Sequence, residues 1–166
     1  MNELFRTQTT DMLSRLTEKM ISCDYDSRAY WSKEVTFDYG TPNQVRVDYM
    51  KFEPLNNSVS GIEKGDFYCY EIKSCVEDFN SRHGLNFIGD YNYIVCPNEL
   101  YEWLSQNNKL PFGIGVYILD NESLRCVRKA RRKDRQRPVY EMLLMMLRSA
   151  RRDYIKREVN DDKTSE

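Results

Sequence analysis

Two acidic residues and one lysine in neighbouring predicted strands could do chemistry together. Glu71 and Lys73 are two positions apart in the segment YEIKS, and residues two apart in a strand project from the same face. Asp48 lies in the preceding predicted strand, and pairing of the two strands would bring its carboxylate beside that of Glu71. The spacing therefore predicts two carboxylates and a lysine around one point.

Carboxylate and carbonyl oxygens are the ligands that Mg²⁺ and Mn²⁺ prefer. The candidate metal ligands are Asp48, Glu71 and the backbone carbonyl of Ile72, with Mg²⁺ (or Mn²⁺) as the expected cofactor. One histidine, His83, and scattered cysteines could not build a typical zinc site, and we assign His83 no catalytic role. A bound cation would activate a water and stabilise charge on a phosphoryl group, with Lys73 assisting. This is the chemistry of phosphodiester hydrolysis.

A sheet flanked by helices must position these residues. Periodicity and turn residues predict helices over 2–22, 76–86 and 97–106, a last helix starting at Pro138, and strands over 30–39, 44–52, 66–73, 91–96 and 113–119. The first three strands are expected to form an antiparallel meander, and the alternation of strand and helix over 66–119 predicts right-handed crossovers. The fold class is therefore α/β with a mixed sheet.

The order of these elements, with Asp48 on one strand and Glu71-Ile72-Lys73 on the next, resembles the PD-(D/E)XK nuclease superfamily. The segments KEVTF, RVDYMKF, YEIKSCVEDF, NYIVCP and GIGVYI are similar in order and spacing to the MmcB-type DNA-repair-associated family of bacteria and their phages, over about residues 30–120. The resemblance implies a restriction-endonuclease-like mixed sheet flanked by helices, here with an extra C-terminal helix, and DNA as the partner.

The resemblance also implies roles for individual residues. It assigns metal binding to Asp48 and Glu71 and the part of the catalytic lysine to Lys73. It matches Glu34 to a family glutamate on the preceding strand, which would assist the metal site. Two alternatives stay open: Glu18 on the first predicted helix could be the further carboxylate, and Glu34 could be an exposed residue paired with a lysine of its own or the next strand.

Positions around the motif carry weaker assignments. The resemblance places Asp78 in the Asp-Phe pair after the motif and Arg82 where related sequences carry a basic residue suited to a phosphate contact. Two positions depart from the family pattern. Val47 precedes Asp48 where the superfamily name has proline, and Gly84 stands where relatives often have a further basic residue. The second departure predicts weaker DNA contact at that point.

Charge is unevenly distributed along the chain. Residues 1–124 carry 11 basic and 19 acidic side chains, a net charge of −8, whereas residues 125–166 carry 14 and 7, a net charge of +7. Clustered arginines and lysines neutralise phosphates and release their counterions. From the run 125–137 we expect nucleic-acid contacts by Arg128, Lys129, Arg131, Arg132 and Lys133. The alternative is a solvated connection before the last helix.

A chain of 166 residues with 40% apolar side chains can bury one ordinary core. We expect a nuclease-like core over 1–124 and, in the same compact unit, a basic segment, a helix and a disordered acidic tail from 160 to the end. The five cysteines include no Cys-x-x-Cys pair and are expected to be reduced and mostly buried. Because no apolar run could span a bilayer, we expect a cytoplasmic protein without membrane contact.

Three functions from different classes fit the sequence. The leading hypothesis is a Mg²⁺-dependent DNA nuclease linked to DNA repair or phage DNA metabolism. The alternatives are a catalytically silent nucleic-acid-binding module and a phage-type protein that recruits a repair or replication partner. The apolar stripe of the last helix, which includes Val139, Leu143, Met146 and Leu147, is expected to join the core, with a homodimer through that helix as the alternative.

Overall fold

The computed structural model describes residues 3–22 and 29–164, with side chains over 6–22 and 29–159. The helices are α1 (Glu3–Ser22), α2 (Val59–Glu63), α3 (Val76–Asn80), α4 (Asn98–Gln106) and α5 (Val139–Thr164). The strands are β1 (Tyr30–Phe37), β2 (Val45–Glu53), β3 (Asp66–Ile72), β4 (Tyr91–Cys96), β5 (Gly115–Asp120) and β6 (Ser123–Arg128). They form one mixed sheet in the order β1-β2-β3-β4-β5-β6.

The pairing of the strands confirms the predicted mixed sheet. β1, β2 and β3 form an antiparallel meander, β3, β4 and β5 run parallel, and β6 returns antiparallel to β5. Parallel neighbours cannot be joined by a tight hairpin, and α3 and α4 lie in the two connections between them. The carboxyl ends of β3, β4 and β5 therefore lie at one end of the sheet and their amino ends at the other.

Helices cover both faces of the sheet. On one face, Leu13 of α1 packs with tyrosines from neighbouring strands. On the other face, Met142 and Met146 of α5 cover β1, β2 and β3, while Leu100 and Leu104 of α4 cover β4 and β5. Of the β3 side chains on this second face, Phe67 and Cys69 belong to the patch under α5, whereas Glu71 belongs to neither patch.

The structure corrects several predicted boundaries. The helix expected over 76–86 ends at Asn80, and the residues after it leave helical geometry, with positive φ at Arg82 and Gly84. The strand expected to reach Tyr39 ends at Phe37, because Asp38 also has positive φ. The tail expected to be disordered from 160 is helical as far as Thr164, and its last two residues lie outside the described part.

Strand β6 was not predicted, because its sequence SLRCVR lies at the start of the basic run. An edge strand has one free side, and charged side chains there are a common protection against aggregation. Arg125 and Cys126 are exposed, whereas Val127 packs at the margin of the core. The cysteine expectation holds in part: Cys69 and Cys75 are buried with Cys96, Cys126 is exposed, and Cys23 lies outside the described residues.

The predicted apolar stripe of α5 is partly wrong. Met142 and Met146 are buried and Val139 and Leu143 pack against the same cluster, but Leu147 is exposed. Positions spaced by three, four and seven residues share a helix face. The face of α5 that packs on the sheet is therefore the one that carries Val139, Met142, Leu143 and Met146, and Leu147 lies outside it. Although α5 has 26 residues, neither it nor any other described helix is long and apolar enough to cross a membrane.

Candidate metal centre and cleft

A local irregularity in two strands turns Asp48 toward β3. Val47 and Met50 belong to the same core cluster although they are three positions apart, whereas strict alternation would place them on opposite faces. In β1, Glu34 has a φ of 50° at the matching cross-strand position, where no pair is assigned between Lys33↔Tyr49 and Val35↔Val47. In both strands the alternation of side chains between the two faces shifts by one residue at this point. The pairing register of β1 with β2 is therefore the same on either side, and Asp48 departs from the regular alternation.

The Asp48 carboxylate bridges β2 and β3 where their pairing ends. The last assigned pair between the two strands is Tyr49↔Tyr70. Two positions after Tyr70, the backbone N–H of Ile72 donates to Oδ2 of Asp48 over 2.9 Å. A side-chain oxygen thus replaces the backbone acceptor that a longer strand would have supplied. This contact holds the half-buried Asp48 carboxyl at the end of β3, next to Glu71.

Glu71 is a buried carboxyl without a hydrogen-bond donor. Its side chain is 1% exposed, and neither carboxyl oxygen accepts a hydrogen bond from any described residue. Burial, first, and the nearby charge of Asp48 raise the pKa of Glu71 to about 10, against the opposing effect of Lys73. When no cation is bound, these effects favour the protonated carboxyl at neutral pH.

Gly84 closes the protein over this carboxyl. Its φ is +77°, a conformation that favours glycine. A Cβ atom at this position would lie 2.5 Å from Oε2 of Glu71 and 3.5 Å from Nζ of Lys73. A larger side chain at this position would not fit here without a shift of the loop. The glycine thus lets the backbone approach the two charged groups directly.

The ammonium group of Lys73 is fixed from two sides. The side chain is 4% exposed, and Nζ donates to the backbone carbonyl of His83 over 2.6 Å and lies 4.0 Å from Oδ1 of Asp78. Asp78 is itself held, because its Oδ2 accepts hydrogen bonds from the N–H (2.9 Å) and hydroxyl (3.2 Å) of Ser74. His83 contributes its backbone carbonyl oxygen to this contact.

A cleft of about 880 Å³ opens over Asp48 and Lys73. One wall is the polar side of α1, where the lining residues recur at every fourth position: Arg6, Thr10, Ser14 and Glu18. The lysine and arginine side chains that line the cleft are Arg6, Lys33, Arg46, Lys73 and Arg82. Glu71 is not part of the lining and lies behind the cleft surface. The cleft therefore exposes Asp48 and Lys73 to a ligand among several cations.

Both candidates for a further carboxylate line the cleft, and both are paired with cations. Glu34 is exposed, as one of the open alternatives held, but it lies 3.8 Å from Arg46 and 3.6 Å from Arg152, so its partners are arginines where that alternative had a lysine. Glu18 accepts a hydrogen bond from Lys33 over 3.0 Å. No group of three or more acidic, histidine or cysteine side chains able to hold a metal occurs in the described part of the chain. The candidate ligands thus remain the two carboxyls and the carbonyl after Glu71.

The basic run lies away from the cleft. Nε of Arg132 is 3.0 Å from Oδ1 of Asp66, the first residue of β3, whereas Lys73 follows the last residue of that strand. Among the predicted nucleic-acid contacts, Arg82 lines the cleft and Arg128, Lys129, Arg131, Arg132 and Lys133 do not. The length of β3, roughly 20 Å at about 3.3 Å per residue, separates the two regions. The structure does not bring the run and the motif together.

Sequence reasoning missed two features of this region. Arg6 lines the cleft and its Nη2 lies 3.3 Å from Oδ1 of Asp78, so it connects α1 to the residue that holds Lys73. The polar residues at every fourth position of the first helix were a usable signal for that wall. The approach of Gly84 to Glu71 had no such signal, because it depends on a loop without regular periodicity.

The fold defines a mixed α/β protein whose six-stranded sheet is flanked by helices. No protein-family model and no curated protein matches the chain. A solved structure, that of SPO1766, a protein of unknown function from Silicibacter pomeroyi, is similar to it with a TM-score of 0.61. The sequence identity is 18%, and the match covers 99% of this chain and 97% of that chain. The likeness shows a shared fold.

Proposed function

We propose that this protein is a metal-dependent DNA nuclease with a restriction-endonuclease-like fold of the PD-(D/E)XK type. The observation that carries the proposal is the buried Glu71 carboxyl, which has no donor although Asp48 and Lys73 lie beside it. Burying such a group without partners is costly in a structural role. A cation between Asp48 and Glu71 would supply the partner that Glu71 lacks and would neutralise the charge of both carboxylates.

The donor set fits Mg²⁺ or Mn²⁺. Two carboxyls and the Ile72 carbonyl are hard oxygen ligands, which these ions prefer. A divalent cation would compete with the proton that the raised pKa of Glu71 retains, because a metal-bound carboxylate is ionised. When bound, the ion would supply Lewis acidity and a water of lowered pKa.

The residues of the chain would do the remaining work. The Lys73 ammonium, held by the His83 carbonyl, lies where it could stabilise negative charge that develops on a phosphoryl group. Arg6, Arg46 and Arg82 line the same cleft and could neutralise neighbouring phosphates. Such contacts carry no sequence information, so we expect binding that depends on salt and cleavage with little sequence preference.

Cleavage assays on labelled single-stranded, duplex and branched DNA test this proposal, with Mg²⁺ or Mn²⁺ and with EDTA as the metal-free control. The branched substrate tests the proposed link to DNA repair or phage DNA metabolism. We expect Lys73→Ala and Asp48→Ala each to reduce the cleavage rate by about 100-fold or more, because each removes a group at the reacting phosphate. Matched controls are Lys64→Ala and Asp134→Ala, which change the same residue types at exposed positions and should cleave at the parental rate.

The alternative with its own structural support is a nucleic-acid-binding module without turnover, because exposed cations of the basic run lie outside the cleft. DNA binding without cleavage, unaffected by Lys73→Ala or Asp48→Ala, would overturn the nuclease proposal in favour of that module. Absence of both cleavage and binding at low salt would overturn both and leave recruitment of a protein partner as the function to test.

A further inference from the structure

Residues 129–133, named the basic strap here, cross the amino ends of β3, β4 and β5 and lie outside any helix or strand. Two of its residues contact the sheet: Ala130 packs at the margin of the tyrosine cluster, and Arg132 pairs with Asp66 and Asp90 over 3.0 and 3.5 Å. The residues that alternate with these two along the chain have exposed side chains and are called the outward residues: Lys129, Arg131 and Lys133.

The backbone of the strap is fixed to the sheet end. The N–H of Arg131 donates to the carbonyl of Gly113 over 2.8 Å, and the N–H of Lys133 donates to the carbonyl of Asp90 over 2.9 Å. These bonds space the outward cations at every second residue before any ligand binds. A ligand would therefore lose little binding free energy to ordering of the strap backbone.

An exposed aromatic ring lies beside the strap. Phe112 is 84% exposed in the turn from Pro111 to Ile114, which is closed by a 3.4 Å hydrogen bond and has Gly113 at a φ of +76°. The guanidinium carbon of Arg131 lies 5.1 Å from the centroid of the ring. The arginine covers part of the ring and the rest faces solvent. An aromatic ring with cations around it is the arrangement that stacks bases of single-stranded nucleic acid.

The basic run divides into paired and unpaired cations. Arg132, Arg135 and Arg137 form ion pairs with acidic residues, and they hold the run to the sheet. Within the described part of the chain, the outward residues Lys129, Arg131 and Lys133 form no ion pair with an acid. Their charge is therefore available to a ligand.

We propose that the basic strap and Phe112 form a second binding site, which takes single-stranded nucleic acid at the end of the sheet opposite the cleft. The cations would contact phosphates and the ring would stack on an unpaired base. Bases inside a duplex are already stacked on each other, so the exposed ring favours a single strand. This site does not depend on the proposed function, and it would bind its ligand even if the chain cleaved nothing.

Binding of a labelled 20-nucleotide single strand and of a duplex of equal length, followed by fluorescence anisotropy in EDTA at several salt concentrations, tests the site without cleavage. The first variant of the full chain replaces the outward cations by glutamine: K129Q, R131Q and K133Q. The control variant makes the same charge change on exposed positions of α5: R148Q, R151Q and K156Q. The strap variant should lower the slope of log affinity against log salt for the single strand by about 2, and the control should leave it unchanged.

Phe112→Ala tests the stacking contribution separately from charge. It should weaken binding of the single strand about ten-fold and leave duplex binding unchanged, whereas Tyr39→Ala, an equally exposed aromatic residue at 78%, should change neither. Equal salt slopes for the strap and control variants, or equal losses for both DNA forms with Phe112→Ala, would overturn the proposal. Metal-dependent cleavage by the strap variant reports on the cleft alone, so failure of one site is distinguishable from failure of the other.

Discussion

Two buried carboxyls at opposite ends of β3 differ in what surrounds them. Asp90 and Glu71 are each 1% exposed. Asp90 accepts hydrogen bonds from the N–H of Phe67 (2.9 Å) and from Arg135 (2.8 Å), and it lies 3.5 Å from Arg132. Glu71 has no donor among the described residues. Burial of a carboxyl is therefore compatible with a purely structural role, and the missing partner is what marks Glu71 as a candidate ligand.

We expect the largest loss of stability when Asp90, the carboxyl with partners, loses one of them. Arg135→Ala removes the charged donor to Asp90 and also the donors to the backbone carbonyls of Gly65 and Glu63. The buried Asp90 carboxylate would keep only the more distant Arg132 and the Phe67 N–H, and losing the closer partner of a buried ion pair is costly. We expect the free energy of unfolding to fall by about 3 kcal/mol, measured by urea denaturation.

Arg148→Ala is the matched control for this change, because Arg148 is exposed on α5. It should alter the free energy of unfolding by less than about 0.5 kcal/mol. A loss below about 1 kcal/mol for Arg135→Ala would show that the pair at Asp90 contributes no more than a surface salt bridge, and the contrast with Glu71 would disappear.

Replacing the ionisable group of Glu71 should stabilise the protein. Glu71→Gln keeps the shape of the side chain and is neutral in both the folded and the unfolded state, so it avoids the cost of protonating a carboxyl on folding. In EDTA at pH 8 we expect the variant to be more stable than the parent by about 2 to 5 kcal/mol. Chemical denaturation at a series of pH values measures the difference.

The pH dependence of this difference has a defined sign. Burial raises the pKa of Glu71 to about 10 from an ordinary value of 4.5, so between these values the folded parent binds a proton that the unfolded chain has lost. The stability of the parent relative to Glu71→Gln should therefore fall as pH rises from 5 to 9, by at most about 1.4 kcal/mol per pH unit. Glu122→Gln, at an exposed position, should leave the profile unchanged. A profile of the parent that runs parallel to that of Glu71→Gln would contradict the raised pKa.

Most of the sheet could be predicted from the sequence because its strands are apolar and bounded by turn residues. The five predicted strands all exist, with the meander and the crossovers in the expected order. β6 could not be predicted, because its position is set by pairing with β5 and its side chains are those of a charged edge. The shift in side-chain alternation at Glu34 and Asp48 could not be predicted either, since it depends on how β1 and β2 pair with each other.

The motif residues of the site could be predicted, whereas their surroundings could not. Alternation along β3 was enough to place Glu71 and Lys73 on one face and Ile72 on the other, where it packs in the tyrosine cluster. The difference between a partnered Asp90 and an unpartnered Glu71 could not be predicted from the sequence, because Arg135, the partner of Asp90, is 45 positions away in the chain. Whether a buried carboxyl has a partner is a property of long-range contacts.

A glycine comparison tests how tightly the loop closes over Glu71. Gly84 and Gly40 have nearly the same positive φ, +77° and +76°, but a Cβ at Gly84 would meet Glu71 at 2.5 Å, while nothing lies within 4 Å at Gly40. Gly40→Ala should cost about 1 kcal/mol of unfolding free energy from backbone strain, and Gly84→Ala about 2 kcal/mol or more. Equal losses for the two variants, measured by thermal denaturation, would show that the loop over Glu71 yields easily.

Stabilisation by a divalent cation tests the unpartnered carboxyl of Glu71 most directly. An ion that binds the folded state at ten times its dissociation constant adds about 1.4 kcal/mol of stability. We expect Mn²⁺ to raise the melting temperature of the parent protein at pH 8 and to have little effect on Asp48→Asn or Glu71→Gln, because each variant loses a carboxylate ligand. Glu122→Gln should respond like the parent. The response of the parent should shrink toward pH 5, since the cation must displace the proton that Glu71 retains. An equal rise in all four proteins would instead indicate non-specific binding to the acidic surface, and Glu71 would then be a buried acid that the fold tolerates without a ligand.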